Sequence, residues 1–179
     1  MGTLSTKTTH PVYLRGLQEI WDAVGLPVEL KSPLDYDHKT KGEIVAGCAD
    51  IDLLKRLAGH STSCGRFGVF KKTHCGRCVP CLVRRASFLR AQMEDPTIKS
   101  KISNLTYHYP SLKAAAAEET ATDIRSVANA VVRVDRKGID HFLGGSLSFS
   151  EPEARVVYRD VISRGLNELG DLLKAHGVI

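Results

Sequence analysis

Apolar positions along this chain of 179 residues recur mostly at helical spacing and only briefly at strand spacing. Tyr13, Leu14, Leu17, Ile20, Trp21 and Val24 share one helical face, and Gly25 supplies a stop. Leu26-Pro27-Val28-Glu29-Leu30 alternates as a short strand, placed at an edge because proline has no amide hydrogen for a ladder. Ser32-Pro33 begins a loop. Thr40-Lys41-Gly42-Glu43 forms a capping box, in which hydroxyl and carboxylate satisfy each other's backbone amides, and predicts a helix to about Cys48. Asp50 caps another, carrying Leu53, Leu54 and Leu57 as far as Gly59. Pro80 suits the first turn of a helix reaching about Met93, and Asp95-Pro96 breaks it. Further on, Thr122 or Asp123 caps a helix with Ile124, Val127, Ala128 and Val131 on one face. Ser150-Glu151-Pro152-Glu153 is a second capping box. It opens the longest helix, with Ile162, Leu166, Leu169 and Leu173 on its stripe and Gly177 beyond its end.

The bulk composition, 42% hydrophobic and 25% charged, is that of a globular protein. No segment approaches the roughly 18–20 consecutive apolar residues of a membrane span, and the polar N-terminus has no secretory core, so the expected location is cytoplasmic. The formal net charge is +5, and its distribution matters more than its size. Between Leu53 and Met93 there is no acidic residue, while Lys55, Arg56, Arg66, Lys71, Lys72, Arg77, Arg84, Arg85 and Arg90 all fall there. Such a stretch suits a phosphate or nucleic-acid partner, and it equally suits compensation of an anionic metal site.

That site is suggested by the cysteines. Four of the five lie at Cys64, Cys75, Cys78 and Cys81, and only Cys48 stands apart. Cys75-Gly76-Arg77-Cys78 is a knuckle in which two thiolates three residues apart grip one ion and Gly76 permits a left-handed turn. Cys81 falls at a helix start, where the dipole favours a thiolate. Gly65 and Gly68 give the ten-residue excursion freedom to return Cys64 to the ion. A closed structural zinc site is the chemistry this spacing fits best. The rival is an iron–sulfur cluster, whose C-x2-C-x2-C run continues with a fourth downstream cysteine that is missing here. His60 or His74 would be substitute ligands, but His74 adjoins Cys75 and is expected to point away.

Together these residues resemble the C-terminal half of the 7-cyano-7-deazaguanine synthase (QueC) family. That family ends in Ser-Cys, a spacer, and Cys-Gly-Arg-Cys-x-x-Cys before an arginine-bearing helix. The counterpart here is Ser63-Cys64 and Cys75-Gly76-Arg77-Cys78-Val79-Pro80-Cys81-Leu82-Val83-Arg84. Thr40-Lys41-Gly42-Glu43-Ile44 matches an upstream Thr-Lys-x-Glu-Ile element. Thr8-Thr9-His10-Pro11 and Arg84-Arg85 are closer still to the QueC-like, Qat-type branch of bacterial anti-phage systems. The resemblance spans residues 5–95 and implies that Cys64, Cys75, Cys78 and Cys81 are zinc ligands. It implies a PP-loop ATP-dependent ligase of adenine-nucleotide α-hydrolase fold. Such an enzyme activates 7-carboxy-7-deazaguanine with ATP and couples it to ammonia, or in the defence branch passes it to another acceptor.

The ATP-binding loop of that family, Ser-Gly-Gly-x-Asp-Ser, does not occur, and Gly144-Gly145-Ser146 reads as a turn. The chain is therefore expected to be inactive alone, as a fragment, a split half or a truncated product. The implied partner is an N-terminal PP-loop half or other defence-system subunits. The expected architecture is an α/β remnant of the PP-loop fold with a zinc element over residues 1–95. A mostly helical extension follows over residues 96–179, making the chain predominantly helical. Lys41, Glu43 and Arg85 are conceivable active-site neighbours, although capping and surface charge explain them equally. Two other functions compete: a basic zinc module that binds nucleic acid, and a non-catalytic scaffold subunit that docks through its long C-terminal helix.

Overall fold

The computed structural model of the chain describes residues 11–30, 38–97, 106–143 and 152–179. The described residues form eight helices: α1 (Pro11–Ala23), α2 (Lys41–Ala46), α3 (Ile51–Ala58), α4 (Val79–Arg90), α5 (Leu112–Ala117), α6 (Thr122–Lys137), α7 (Ile139–Leu143) and α8 (Pro152–Ala175). The protein is mostly helical, and none of these helices is long and apolar enough to cross a membrane.

Local chemistry accounts for most helix boundaries. Thr40 and Glu43 make both bonds of the predicted capping box, and Asp50 accepts from the Leu53 amide at 2.8 Å. Ser111 caps α5 by accepting from the Ala114 amide. The left-handed residues Gly25 and Gly177 end α1 and α8, each followed by an amide that reaches back five residues. Helix α4 stops at Arg90, short of Met93, because Gln92 adopts a φ of 54° and the Met93 amide bonds the Phe88 carbonyl. Neither predicted cap of α6 serves: Ala121 occupies the N-cap position, and Asp123 in the first turn faces Arg66 instead. The capping box at Ser150 and the Gly144-Gly145-Ser146 turn lie outside the described residues.

The strand expected at residues 26–30 does not form, and the described residues contain no strand, only an isolated bridge between His74 and Tyr107. An alternating segment becomes a strand only when another backbone pairs with it. Here the Gln18 side chain takes that place, donating to the Val28 carbonyl at 3.0 Å and accepting from the Leu30 amide at 2.6 Å. The described residues thus carry no sheet that would display the α/β part of the expected architecture.

One core joins Leu82 and Ala86 of α4 to Leu112, Ala115, Ile124, Val127, Leu172 and Leu173 from three other helices. The predicted stripe of α6 turns inward, with Ala128 and Val131 packed on that core. Polar contacts fix α2 to α8: Thr40 donates its hydroxyl to buried Glu168, and Arg164 pairs with Glu43. A second, smaller cluster contains the four cysteines and Tyr107, with Phe67 and Phe70 against it. Helix α4 touches both, so its sequence links the hydrophobic core to the cysteine site.

Candidate metal centre

The loop from residue 61 to 78 and the first turn of α4 bring all four predicted ligands together. Cys78 is the N-cap of α4, and Cys81 follows in its first turn. The four sulfur atoms lie within 4.8 Å of one another, and all four residues are buried. Cys75 Sγ is 3.9 Å from Cys81 Sγ, and Cys78 Sγ is 4.0 Å from Cys64 Sγ. A tetrahedron with metal–sulfur bonds of about 2.3 Å has edges of about 3.8 Å, so the cluster can hold a metal ion such as zinc.

Backbone amides complete the cage. Arg66 and Cys75 donate to Cys64 Sγ at 3.4 and 3.2 Å, and Cys78 donates to Cys75 Sγ at 3.3 Å. Such bonds stabilise thiolates, which are the metal-binding form. Sulfur crowding alone splits the acidities. Hydrogen bonding from Cys78 and Cys81 draws Cys75 far down, while Cys75 pushes Cys78 up to about 11 and, with Cys78, drives Cys81 far above the ordinary thiol. Four thiolates at these distances require a cation between them.

Gly76 has the left-handed φ of 87° that the knuckle needs. It also passes so close to the 107–109 segment that a Cβ would stand 2.7 Å from the Tyr109 carbonyl oxygen. The tight turn in the spacer falls elsewhere than expected, at Lys71 and Lys72 with φ of 50° and 60°, and not at Gly65 or Gly68. His74 is buried between the edges of Phe67 and Tyr107 and is not among the clustered ligand residues. Burial and then the Arg84 charge hold its imidazole below the ordinary pKa, and its Nδ1 has no hydrogen-bond partner among the described residues. His60 likewise lies outside the ligand cluster.

Three arginines of the acid-free stretch are consumed by the fold. Arg77 stacks 3.8 Å from the Tyr109 ring centroid and pairs with Glu118 at 2.5 Å. Arg84 donates to Thr97, Ser61 and the Ala58 carbonyl, and stands 3.4 Å from Asp95. Arg85 reaches the carbonyls of Gly76 and Pro110 over the face of Tyr107. Glu43 is likewise occupied, by the Thr40 amide and by Arg164. These contacts engage Glu43 and Arg85 within the fold, and they leave a smaller free basic surface than the sequence suggests.

Sequence reasoning passes over Asp95, Thr97 and Tyr107. Asp95 accepts from the Tyr107 hydroxyl and from the Thr97 hydroxyl, and with Arg84 they clamp the crossing segment over the cysteines. Their only local trace is Asp95 before a proline, which signals a break and says nothing of its distant partners. No protein-family model, curated protein or solved structure matches this chain.

Proposed function

We propose that the chain is the zinc-braced C-terminal portion of a QueC-like ATP-dependent ligase. Zinc sits among Cys64, Cys75, Cys78 and Cys81 and has a structural role, because four thiolates leave no coordination position for water or substrate. The ion ties the spacer, the knuckle and α4 into one rigid platform. The single observation that carries this reading is the Ser63-Cys64 and Cys75-Gly76-Arg77-Cys78-x-x-Cys81 signature, whose sulfur atoms lie within 4.8 Å of one another. The Thr40–Glu43 capping box, in the expected order upstream, adds to it.

The activity belongs to a complex in which an N-terminal PP-loop half, or another defence-system subunit, supplies the missing phosphate-cradling amides. The substrate is a deazapurine acid such as 7-carboxy-7-deazaguanine, activated by ATP before transfer to ammonia or another amine. Co-expression of this chain with a QueC-type PP-loop half tests the proposal. Pyrophosphate exchange that depends on both chains and on the deazapurine acid is the expected result. No exchange from a stable, zinc-loaded complex refutes it.

A further inference from the structure

Helix α3 sets Ile51, Leu54, Leu57 and Ala58 against Asp52, Lys55 and Arg56, yet it buries none of its residues. A helix patterned this way ordinarily lays its apolar stripe on a core. Here Leu57 stays 57% exposed, and the end of the helix is held by polar tethers. Arg84 of α4 donates to the Ala58 carbonyl and to the Ser61 hydroxyl, both at 2.8 Å. The stripe of α3 therefore overlooks space. That space is a cavity of about 520 Å³ bounded by α2, α3 and α4, within the roughly 300–1,000 Å³ of small-molecule sites.

Its walls are aliphatic and aromatic, from Ile44 and Val45 on α2, Leu54 and Leu57 on α3, and Phe88 on α4. Its polar lining includes two cations, Lys41 and Arg84, and no carboxylate. Arg84 is committed to chain acceptors and to Asp95, which leaves Lys41 as the cation open to a ligand. The Lys41 ammonium makes no hydrogen bond or ion pair with the described residues. Ser63 also borders the cavity, but its hydroxyl is closed off from it and has no partner among the described residues.

The geometry points to a binding site for a small amphipathic monoanion. Its apolar body lies between α3 and the floor made by Ile44 and Phe88, while its acid group accepts from Lys41. This site is separate from the cysteine cluster and does not depend on the deazapurine reading, since its walls carry few groups to pair with a purine edge.

Fluorescence titration of the zinc-loaded full chain with 8-anilinonaphthalene-1-sulfonate, an aryl monoanion, tests the assignment against the neutral N-phenyl-1-naphthylamine. One saturable site is expected, with the anion bound about tenfold more tightly, as one charge-assisted hydrogen bond allows. Lys41→Ala removes that preference. Leu57→Glu, at an exposed position that keeps the fold, expels the anion while melting temperature and zinc content stay unchanged. Non-saturable binding, equal affinity for both dyes, or binding indifferent to both substitutions overturns the proposal. So does a stable dimer of the chain that excludes the dye.

Discussion

Replacing Gly76 by alanine puts a methyl group where the knuckle has no room for one. The added Cβ would stand 2.7 Å from the Tyr109 carbonyl oxygen and 2.8 Å from the Tyr107 Cβ, both on a segment clamped to Asp95 and Arg85. The backbone must also hold φ at 87°, which costs a residue with a Cβ about 1–2 kcal/mol. Overpacking against backbone adds about 1–3 kcal/mol. The expected loss is therefore about 2–5 kcal/mol, which lowers the melting temperature by roughly 4–20 °C for a chain of this size. Because the loss is local to the ligands, zinc affinity measured by chelator competition falls with it. Gly65→Ala is the control, since nothing lies within 4 Å of a Cβ there and φ is not positive. Its expected effect is below about 0.5 kcal/mol. A Gly76→Ala protein that melts with wild type and keeps its zinc refutes the geometry of the knuckle.

Other outcomes follow from the same contacts. Thr40→Val and Glu168→Gln each loosen α2 from α8, and a double-mutant cycle in urea gives a coupling of about 0.5–3 kcal/mol, whereas simple additivity removes the claimed bond. Hydrogen bonding from Arg164 holds the Glu43 carboxyl below its ordinary 4.5. A depressed carboxylate stabilises the fold above that ordinary value, and the contribution is lost as pH falls through the lower folded value. NMR titration of Arg164→Met should therefore return Glu43 towards 4.5, and an unmoved midpoint contradicts the pair. Leu82→Ala, at a fully buried core position, costs about 2–5 kcal/mol by denaturant melting, and a change below 1 kcal/mol would contradict its placement.

The helices were legible where their signals are local. Thr40, Asp50 and Pro80 act within one turn of themselves, so α2, α3 and α4 could be placed from sequence alone. The cysteines were legible because metal geometry constrains their spacing directly. Contacts distant in sequence were not. Gln18 occupying the place of a strand partner, Arg84 turning inward to hold α3, and Tyr107 crossing over the thiols leave no periodic trace. The basic stretch shows the same limit. Charge is visible in the sequence, but the acceptors that consume Arg77, Arg84 and Arg85 lie on other segments.

Metal analysis of the purified chain tests the zinc brace most directly. One zinc per protein, lost or strongly weakened by serine at any one of Cys64, Cys75, Cys78 and Cys81 but unaffected by Cys48→Ser, is the predicted result. Cobalt substitution should then give the absorption of a tetrahedral thiolate site. A chain that folds without metal, keeps zinc after these substitutions, or carries a brown iron–sulfur chromophore would contradict the account.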